Sequence, residues 1–378
     1  MQQRTPIVQT RRDAWVEINL AAIENNILNL KKCISKNTKM LAVVKADAYG
    51  HDSTMVAPTL VASGVDMFGV ASIDEGLQLR YSGVKVPILV LGSAPEWAIF
   101  AAAENDIQVS VFSDEHLSAC KEAYKKLGRQ IKVHVKVDTG MHRIGIPSVK
   151  AVEFINKVKN EPAIKLVGVF SHFANAEIAD KTTEQLVKWK DLISKIEIDG
   201  LILHTANTAG LIAYDDVEYG MVRAGIGIYG LYPDLPEGIK KLPNLLPAMG
   251  LKARIANIQQ LQPNSGISYG HSFVTTRQNT KVATVPIGYA DGVPRALSNK
   301  ISGILKGQKV PQIGNITMDQ MMFDVTNVDN AEVGDVITLI GQDEKEQITI
   351  DEWAKIVDTI NYELICRLKV RLPRVFTR

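Results

Sequence analysis

A lysine follows directly on an apolar run near the start of the chain. Lys45 comes after LAVV (41–44) in the stretch AVVKADAYGHD. Such a lysine either rests its alkyl stem on apolar surface with the ammonium in water, or lies in a semi-buried site where its pKa is lowered. In the second case it can form a Schiff base with a carbonyl compound and later move protons. The position alone leaves both interpretations open.

Other side chains able to do chemistry also follow short apolar runs. Tyr49 comes after the same run as Lys45. The others follow later runs: Arg143 after IKVHVKV (131–137), His172 after LVGVF (166–170), His204 and Asn207 after LILH (201–204), with Arg223 inside VRAGIGIYG (222–230). In a (β/α)₈ barrel the catalytic groups come from the C-terminal ends of the strands. The pattern therefore predicts an active site at one mouth of a barrel.

The run IKVHVKV alternates between apolar and polar residues, with polar side chains at positions 132, 134, 136 and 138. Alternate residues of a strand point to opposite faces. The polar set therefore lines either the barrel interior or an exposed edge. Buried charges need partners, and Arg143 is a candidate partner for Asp138.

Two further features have both a chemical and a structural interpretation. The glycines of RAGIGIYG (223–230) can bring backbone amides close enough to cradle a phosphate, or can serve tight packing. Tyr269 and Tyr289 lie beside glycines in SYGHSF (268–273) and IGYADGVPR (287–295). Tyrosines near turns are usually packing residues, and Tyr269 could act as an acid or base only if its pKa were lowered from roughly 10.

Eight β-rich runs alternate with helix-like segments between Leu41 and Tyr229. This order predicts an α/β fold with a (β/α)₈ TIM-type barrel, while a doubly wound open sheet is the alternative. Beyond Pro243 short β-rich runs are separated by Gly, Pro and Asn, which predicts a smaller, mostly-β domain. The predicted domains are residues 15–240 and 241–378.

Composition limits the class of protein. The 378 residues exceed what one hydrophobic core usually supports, and 46% hydrophobic with 22% charged residues is ordinary for a soluble globular protein. The net charge of +2 gives no reason to expect a nucleic-acid or membrane partner. Three scattered cysteines predict neither a metal site nor a disulfide framework, and the first 15 residues lack the apolar segment of a secretory signal. We therefore expect a cytoplasmic protein.

From about residue 15 to the C-terminus, the chain resembles the alanine racemases. The most specific block is AVVKADAYGHD (42–52), which is similar to the cofactor-lysine signature of that family. The other blocks follow in order: KVDTGMHRIG (136–145), SHFANA (171–176), HTANTAG (204–210), VRAGIGIYGL (222–231), ISYGHSF (267–273), PIGYADG (286–292), MDQ (318–320) and TINYELIC (359–366).

The resemblance implies an enzyme that carries pyridoxal 5'-phosphate on Lys45. It implies a head-to-tail homodimer in which Tyr269 and Met318 enter the partner's active site, and a C-terminal domain to which a strand near residues 14–20 contributes. It further implies roles for these residues: Tyr49, Thr208, Tyr362 and the backbone of Gly225 and Ile226 at the cofactor phosphate; His172 and Asn207 elsewhere in the cofactor site; Arg223 at the pyridine nitrogen; Arg143 and the Met318 backbone at the substrate carboxylate; Tyr289 at the entrance; and Lys136 as a carbamylated lysine.

The activity implied is the interconversion of L-alanine and D-alanine, which supplies D-alanine for bacterial peptidoglycan. Lys45 and Tyr269 would be the two bases, one on each face of the substrate. Three positions depart from the common pattern: His142 stands where glycine is usual, Thr208 where serine is frequent, and Thr317 where cysteine is usual.

Three alternatives remain. A serine or broad-specificity racemase of the same fold would share these residues. A barrel-type amino-acid decarboxylase would have a different glycine-rich stretch and a cysteine motif in its second domain. A non-catalytic cofactor-binding barrel would lack a second domain carrying Tyr269.

Overall fold

The computed structural model describes residues 13–217, 219–239, 242–368 and 371–378. The chain divides into two compact units: Leu20–Leu246, and Pro247–Arg378 together with the N-terminal residues up to Asn19. Two predictions concern residues outside the described ranges: the absence of a secretory signal in residues 1–12, and the domain boundary between residues 240 and 241.

The unit Leu20–Leu246 is a barrel of parallel strands. The first strand of the chain, β1 (Ala14–Asn19), belongs to the other unit. The strands of the barrel unit are β2 (Lys39–Val43), β3 (Met67–Val70), β4 (Ile88–Val90), β5 (Ile107–Val111), β6 (Ile131–Asp138), β7 (Ile146–Pro147), β8 (Ile164–Phe170), β9 (Ile202–His204) and β10 (Met221–Ala224). The hydrogen-bonded order is β10-β2-β3-β4-β5-β6-β8-β9, with β7 beside β6.

Backbone hydrogen bonds also join the two ends of this order. The N–H of Gly220 donates to the carbonyl of Leu203 at 3.0 Å, and the N–H of Arg223 donates to that of Ala206 at 3.0 Å. The strands therefore close into a ring. The (β/α)₈ barrel prediction is confirmed, and the doubly wound open sheet is wrong.

Helices separate the barrel strands: α1 (Leu20–Lys31), α2 (Ser53–Ala62), α3 (Ile73–Tyr81), α4 (Ile99–Glu104), α5 (Asp114–Leu127), α6 (Ser148–Lys159), α7 (Ala179–Ile193) and α8 (Thr208–Ala213). Several begin at a side-chain cap. The Ser72 side chain accepts the N–H of Glu75 and that of Ser113 accepts the N–H of His116, which satisfies donors that a helix N-terminus leaves unpaired.

The last barrel strand is shorter than predicted. The run 222–230 was expected to be strand throughout, but β10 ends at Ala224 and Ile226–Tyr229 forms a 3₁₀ turn. Gly230 then takes a left-handed conformation with φ of 82°, which glycine adopts without steric cost. The glycines that suggested an extended segment therefore form a turn at the strand end.

The second unit is mostly β-sheet. Its strands besides β1 are β11 (Met249–Arg254), β12 (Asn257–Leu261), β13 (Gly266–Ile267), β14 (Phe273–Val274), β15 (Thr280–Val285), β16 (Ser302–Leu305), β17 (Gln308–Ile313), β18 (Met321–Asp324), β19 (Val336–Asp343), β20 (Glu346–Ile348) and β21 (Arg374–Thr377). β1 pairs with β11 antiparallel and with β21 parallel. Two short helices, α9 (Ile350–Ile356) and α10 (Asn361–Arg367), complete the unit.

Among the described residues, no helix is long and apolar enough to cross a membrane. Cys33 is partly buried, Cys120 is buried and Cys366 is exposed. Burial raises the pKa of the Cys120 thiol to about 12, so this cysteine is an inert packing residue.

Candidate active site

A left-handed turn connects Lys45 to Tyr49. Directly after β2, residues 46–49 all have φ between 51° and 54°, although none is glycine. L-residues disfavour this conformation, and such strained segments are concentrated at functional sites. The turn is fixed at its far end, where Asp47 accepts the N–H of Ser53 at 2.8 Å. The backbone around Lys45 is therefore held in one unusual shape.

Tyr49, Thr208 and Gly225 form a small polar cradle. The N–H of Gly225 donates to the Thr208 hydroxyl at 2.8 Å. A methyl group added to Gly225 would lie only 3.0 Å from the Tyr49 hydroxyl. Asn207 caps α8 by accepting the N–H of Gly210 at 2.8 Å, and Ile226 begins the following 3₁₀ turn. Hydroxyl and backbone amide groups brought close together are of the kind that can bind a phosphate.

Arg223 lies in β10 with only 3% of its surface exposed. Its guanidinium donates to the carbonyls of residues 171, 204 and 205 at 2.8–3.1 Å and to His204 Nδ1 at 2.8 Å, and its Nη2 also lies 3.1 Å from His172 Nδ1. Among the described residues, no carboxylate lies within ion-pair distance of it. Burial lowers the pKa of Arg223 to about 9. This site therefore holds a buried positive charge that neutral acceptors position.

His172 is a neutral imidazole. Burial first, and then the charge of Arg223, lower its pKa well below the ordinary value. Because Arg223 can only donate, the Nδ1 atom of His172 carries no proton and its N–H is on Nε2.

Lys136 is buried in β6 with 5% of its surface exposed. Its Nζ lies 4.3 Å from the centre of the Phe170 ring. Burial and the charges of Arg223 and Arg143 lower the pKa of Lys136 to about 7. The polar face of β6 therefore lines the interior of the barrel, as one of the two sequence interpretations held.

Arg143, the candidate partner for Asp138, does not pair with it. Asp138 Oδ1 accepts the backbone N–H groups of residues 140, 141 and 142 at 2.9–3.1 Å, and Oδ2 lies 3.2 Å from the His142 ring. These bonds satisfy the Asp138 carboxylate within its own loop. The Arg143 side chain is exposed. His142 has φ of 53°, a left-handed conformation that glycine adopts most easily.

Tyr269, Tyr289, Met318 and Tyr362 belong to the other unit. Tyr269 is 75% exposed and follows Ser268, whose φ is 63°. The amide of Asn315 donates to the Tyr269 carbonyl at 2.6 Å. The loop carrying Met318 is tied to the segment carrying Tyr289, because the N–H of Tyr289 donates to the carbonyl of residue 317 and that of residue 290 to the Met318 carbonyl, both at 3.0 Å.

The departure at Thr317 also has a structural account. Its hydroxyl donates to the carbonyl of Gln320 at 3.0 Å and accepts the N–H of the same residue at 3.1 Å. Thr317 thus closes the turn that displays Met318.

Known proteins match the chain over nearly its whole length. The family model "Alanine racemase, N-terminal domain" matches residues 18–233, and "Alanine racemase, C-terminal domain" matches residues 248–376. The chain is 41% identical to an alanine racemase of Methanococcus maripaludis over 368 residues, 96% of this chain and 98% of the relative. The chain belongs to the alanine racemase family.

Solved structures of the family have the same fold. An alanine racemase of Clostridium difficile 630 superimposes with a TM-score of 0.91 at 38% identity, covering 98% of this chain and 97% of that one. A histidine racemase from Leuconostoc mesenteroides subsp. sake superimposes with a TM-score of 0.89 at 29% identity over the full length of both chains. A match over both domains is not expected of a single-barrel cofactor carrier.

On the barrel, the structure groups most of the residues that resemblance to alanine racemases singled out: Lys45, Tyr49, Lys136, Arg143, His172, Asn207, Thr208, Arg223, Gly225 and Ile226. Sequence reasoning assigned no role to Glu75, Gln108 and His134, although the alternation of β6 marks His134 as an interior residue. Among the described residues, no cluster of three or more His, Cys, Asp or Glu side chains is arranged to hold a metal.

Proposed function

We propose that this protein is an alanine racemase that interconverts L-alanine and D-alanine and supplies D-alanine for bacterial peptidoglycan. The observation that carries the proposal is the match of both family domains to a chain whose barrel holds Lys45, the hydroxyls of Tyr49 and Thr208 near Gly225, and the buried Arg223. In this proposal the unit Leu20–Leu246 is the barrel domain, and the unit that includes Pro247–Arg378 would complete the partner's site.

The residues present fit pyridoxal 5'-phosphate. Tyr49, Thr208 and Tyr362 supply hydroxyls for its phosphate, together with backbone groups of Gly225 and Ile226. A methyl group at Gly225 would narrow this space, which suits a ligand that approaches the backbone closely. Asn207 orders the start of α8. His172 and Arg223 would lie beside the cofactor ring. When bound, the cofactor withdraws electrons from the α-carbon of the amino acid and acidifies its hydrogen.

Arg223 would face the pyridine nitrogen of the bound cofactor. A guanidinium keeps its protons at neutral pH, so it donates a hydrogen bond without protonating that nitrogen. Electron withdrawal is then weaker than beside a carboxylic acid. The expected consequence is that proton return to the α-carbon dominates over transamination.

Inversion at the α-carbon needs a proton removed on one face and returned on the other. Lys45 supplies one base and the partner's Tyr269 the other, so either enantiomer can be the substrate. His172 holds its proton on Nε2 and can donate it to the phenolate. The exposure of Tyr269 in a single chain supports a role in a partner's site within a homodimer.

Arg143 and the backbone of the partner's Met318 hold the substrate carboxylate, and Tyr289 narrows the entrance.

Lys136 is carbamylated: its neutral amine attacks carbon dioxide, a C–N bond forms and one proton is released. The positive surroundings of Lys136 support this step, because the new negative charge would pair with them. After incubation with ¹³C-bicarbonate, we expect a carbamate signal in the ¹³C NMR spectrum that is lost in Lys136→Ala. Electron density for a bare ammonium at Lys136 would contradict carbamylation.

Incubation with L-alanine in deuterated water tests the function. We expect the parent protein to form D-alanine deuterated at the α-carbon, and Lys45→Ala to form none. Release of carbon dioxide instead would indicate a decarboxylase. Absence of both reactions after cofactor loading would overturn the proposal.

A wider substrate range is the second candidate, because a histidine racemase shares the fold over its full length. A serine or broad-specificity racemase would use the same barrel residues. Comparing kcat/KM for alanine, serine and histidine separates the two. We expect alanine to be preferred and the enzyme to work in the cytoplasm.

A further inference from the structure

Three buried polar side chains extend the contacts of Arg223 into the barrel interior. Gln108 lies in β5, His134 in β6 and His204 in β9, and their exposed surface is 5%, 0% and 0%. Arg223 Nη1 lies 2.8 Å from His204 Nδ1, His204 Nε2 lies 3.0 Å from His134 Nδ1, and His134 Nε2 lies 2.9 Å from Gln108 Oε1. The four side chains form one unbranched series of hydrogen bonds, which we call the Gln108 chain.

The direction of every bond in the Gln108 chain follows from its first member. A guanidinium has no acceptor, so Arg223 donates and His204 Nδ1 accepts with its lone pair. The proton of His204 is then on Nε2 and is donated to His134 Nδ1. The proton of His134 is likewise on Nε2, so Gln108 must present its oxygen and not its amide.

Both imidazoles are neutral, as this direction requires. Burial, followed by the charge of Arg223, lowers the pKa of His134 to about 3 and that of His204 well below its ordinary value. The His204 ring is also stacked on Phe170, with ring centres 4.7 Å apart and planes 5° apart. Packing therefore fixes the ring plane while hydrogen bonding fixes which nitrogen carries the proton.

Moving the proton within one ring disrupts the whole series. If His134 carried its proton on Nδ1, that N–H would face the N–H of His204. If His204 then shifted its own proton to Nδ1, it would face the N–H of Arg223. A buried donor that faces another donor loses its hydrogen bond, which is unfavourable away from water.

We propose that Gln108 and His134 are positioning residues: Gln108 holds the proton of His134 on Nε2, so that His134 Nδ1 accepts from His204 and keeps the His204 ring against the guanidinium of Arg223. The inference rests on the proposed function in one respect: Arg223 is the residue taken to face the pyridine nitrogen. Neither Gln108 nor His134 touches the cofactor or the substrate in this account.

The test compares two substitutions in the same strand. Gln108→Leu removes the terminal acceptor with little change of volume. Ser110→Ala is the matched control, because Ser110 lies two residues further along β5, is fully buried, and donates to the Val90 carbonyl at 2.6 Å outside the chain. Gln108→Glu restores an acceptor oxygen.

The first readout is ¹⁵N NMR of the holoenzyme labelled at histidine, which reports the tautomer of each ring. We expect the parent, Ser110→Ala and Gln108→Glu to hold His134 and His204 with the proton on Nε2. Gln108→Leu should show mixed tautomers at His134, because its Nε2 proton then has no acceptor, while Arg223 still holds the proton of His204 on Nε2. The second readout is kinetic: kcat should fall about 10-fold in Gln108→Leu with KM changed less than about 2-fold, because loss of an orienting contact affects the reacting state more than binding.

A parent spectrum with the proton on Nδ1 of either ring overturns the inference, even if Gln108→Leu fails to fold. Identical spectra and kcat values for Gln108→Leu and Ser110→Ala also overturn it. A parent with the expected tautomers but no racemase activity would instead contradict the proposed function and leave the tautomer assignment intact.

Discussion

Glu75 accepts the backbone N–H of Ala46, the residue directly after Lys45, at 2.7 Å. The second oxygen of the same carboxylate accepts the N–H of Ala71 at 2.7 Å. One side chain at the start of α3 thus joins the left-handed turn to the end of the neighbouring strand β3. Hydrogen bonds to a carboxylate are about twice as strong as those between neutral groups, and these two oppose the strain of that turn.

Replacing Glu75 by Gln should weaken the hold on this turn. The amide keeps one acceptor oxygen, but its NH₂ group then faces a backbone N–H. We expect the free energy of unfolding to fall by about 1–3 kcal/mol and kcat to fall more than KM rises, because Lys45 is displaced. Asp74→Asn, which changes an exposed acid in the same helical turn, is the control. Equal urea midpoints and equal kcat values for the two variants would show that Glu75 does not hold the turn.

A methyl group at Gly225 should weaken binding of the cofactor. It would approach the Tyr49 hydroxyl to 3.0 Å and the Thr208 hydroxyl to 3.8 Å, where we place the phosphate. We expect Gly225→Ala to raise the Kd for pyridoxal 5'-phosphate about 10-fold, which corresponds to ~1.4 kcal/mol. Gly220→Ala is the control, because its added methyl group meets Leu203 at ordinary contact distances of 3.5–3.6 Å. Absorbance titration of the unloaded proteins measures both constants, and a Kd unchanged in Gly225→Ala would exclude the cradle as the phosphate site.

Lys136 should make stability depend on pH when carbon dioxide is excluded. Its pKa is about 7 in the folded protein and 10.5 ordinarily, so between these values the unfolded chain binds more protons. The free energy of unfolding therefore rises with pH from about 7 towards 10.5, and the group contributes no slope well below pH 7. Bicarbonate should flatten this rise, because a carbamate no longer titrates as an amine.

Urea titrations at several pH values measure the effect. Lys136→Met should lose the rise, whereas Lys132→Met should keep it, since Lys132 is on the same strand but pairs with Asp106 at 2.8 Å in partly exposed surroundings. The same pH slope in both variants would show that Lys136 is not the group responsible.

The sequence predicts the barrel and its site better than it predicts local geometry. Eight apolar runs identify the strands because parallel barrel strands are buried on both faces. Family resemblance singled out Lys45, Arg223 and Gly225, which the barrel places at strand ends. The end of β10 was missed, because glycines in an apolar run do not distinguish a strand from a turn.

Residues that act through long-range contacts were not predictable. In the sequence Glu75 is an acidic residue near the start of a helix, where acidic side chains are common because they interact favourably with the helix dipole. Its bond to Ala46 depends on the neighbouring strands coming together. Charge made Arg143 one candidate partner for Asp138, whereas three nearby backbone N–H groups donate to that carboxylate. Nothing in the sequence marks Gln108 as a positioning residue, because its partner His134 lies on β6 and the two side chains meet only when β5 and β6 pair.

A shared active site predicts that two inactive variants can restore activity to each other. Lys45→Ala and Tyr269→Phe should each lose racemisation by about 10²-fold or more. In a mixed head-to-tail dimer one of the two sites contains both intact residues, so subunit exchange should restore about a quarter of the parent activity. Activity assays before and after mixing measure this. Mixtures that stay inactive although mass spectrometry shows mixed dimers would place both residues in the same subunit's site.

Borohydride reduction of the cofactor-loaded protein, followed by peptide mass spectrometry, most directly tests the assignment of Lys45 as the cofactor lysine. We expect one reduced pyridoxyl group per chain, on Lys45, and none on that peptide in Lys45→Ala. A protein that stays colourless with added cofactor, or a label on another lysine in the parent, would contradict it.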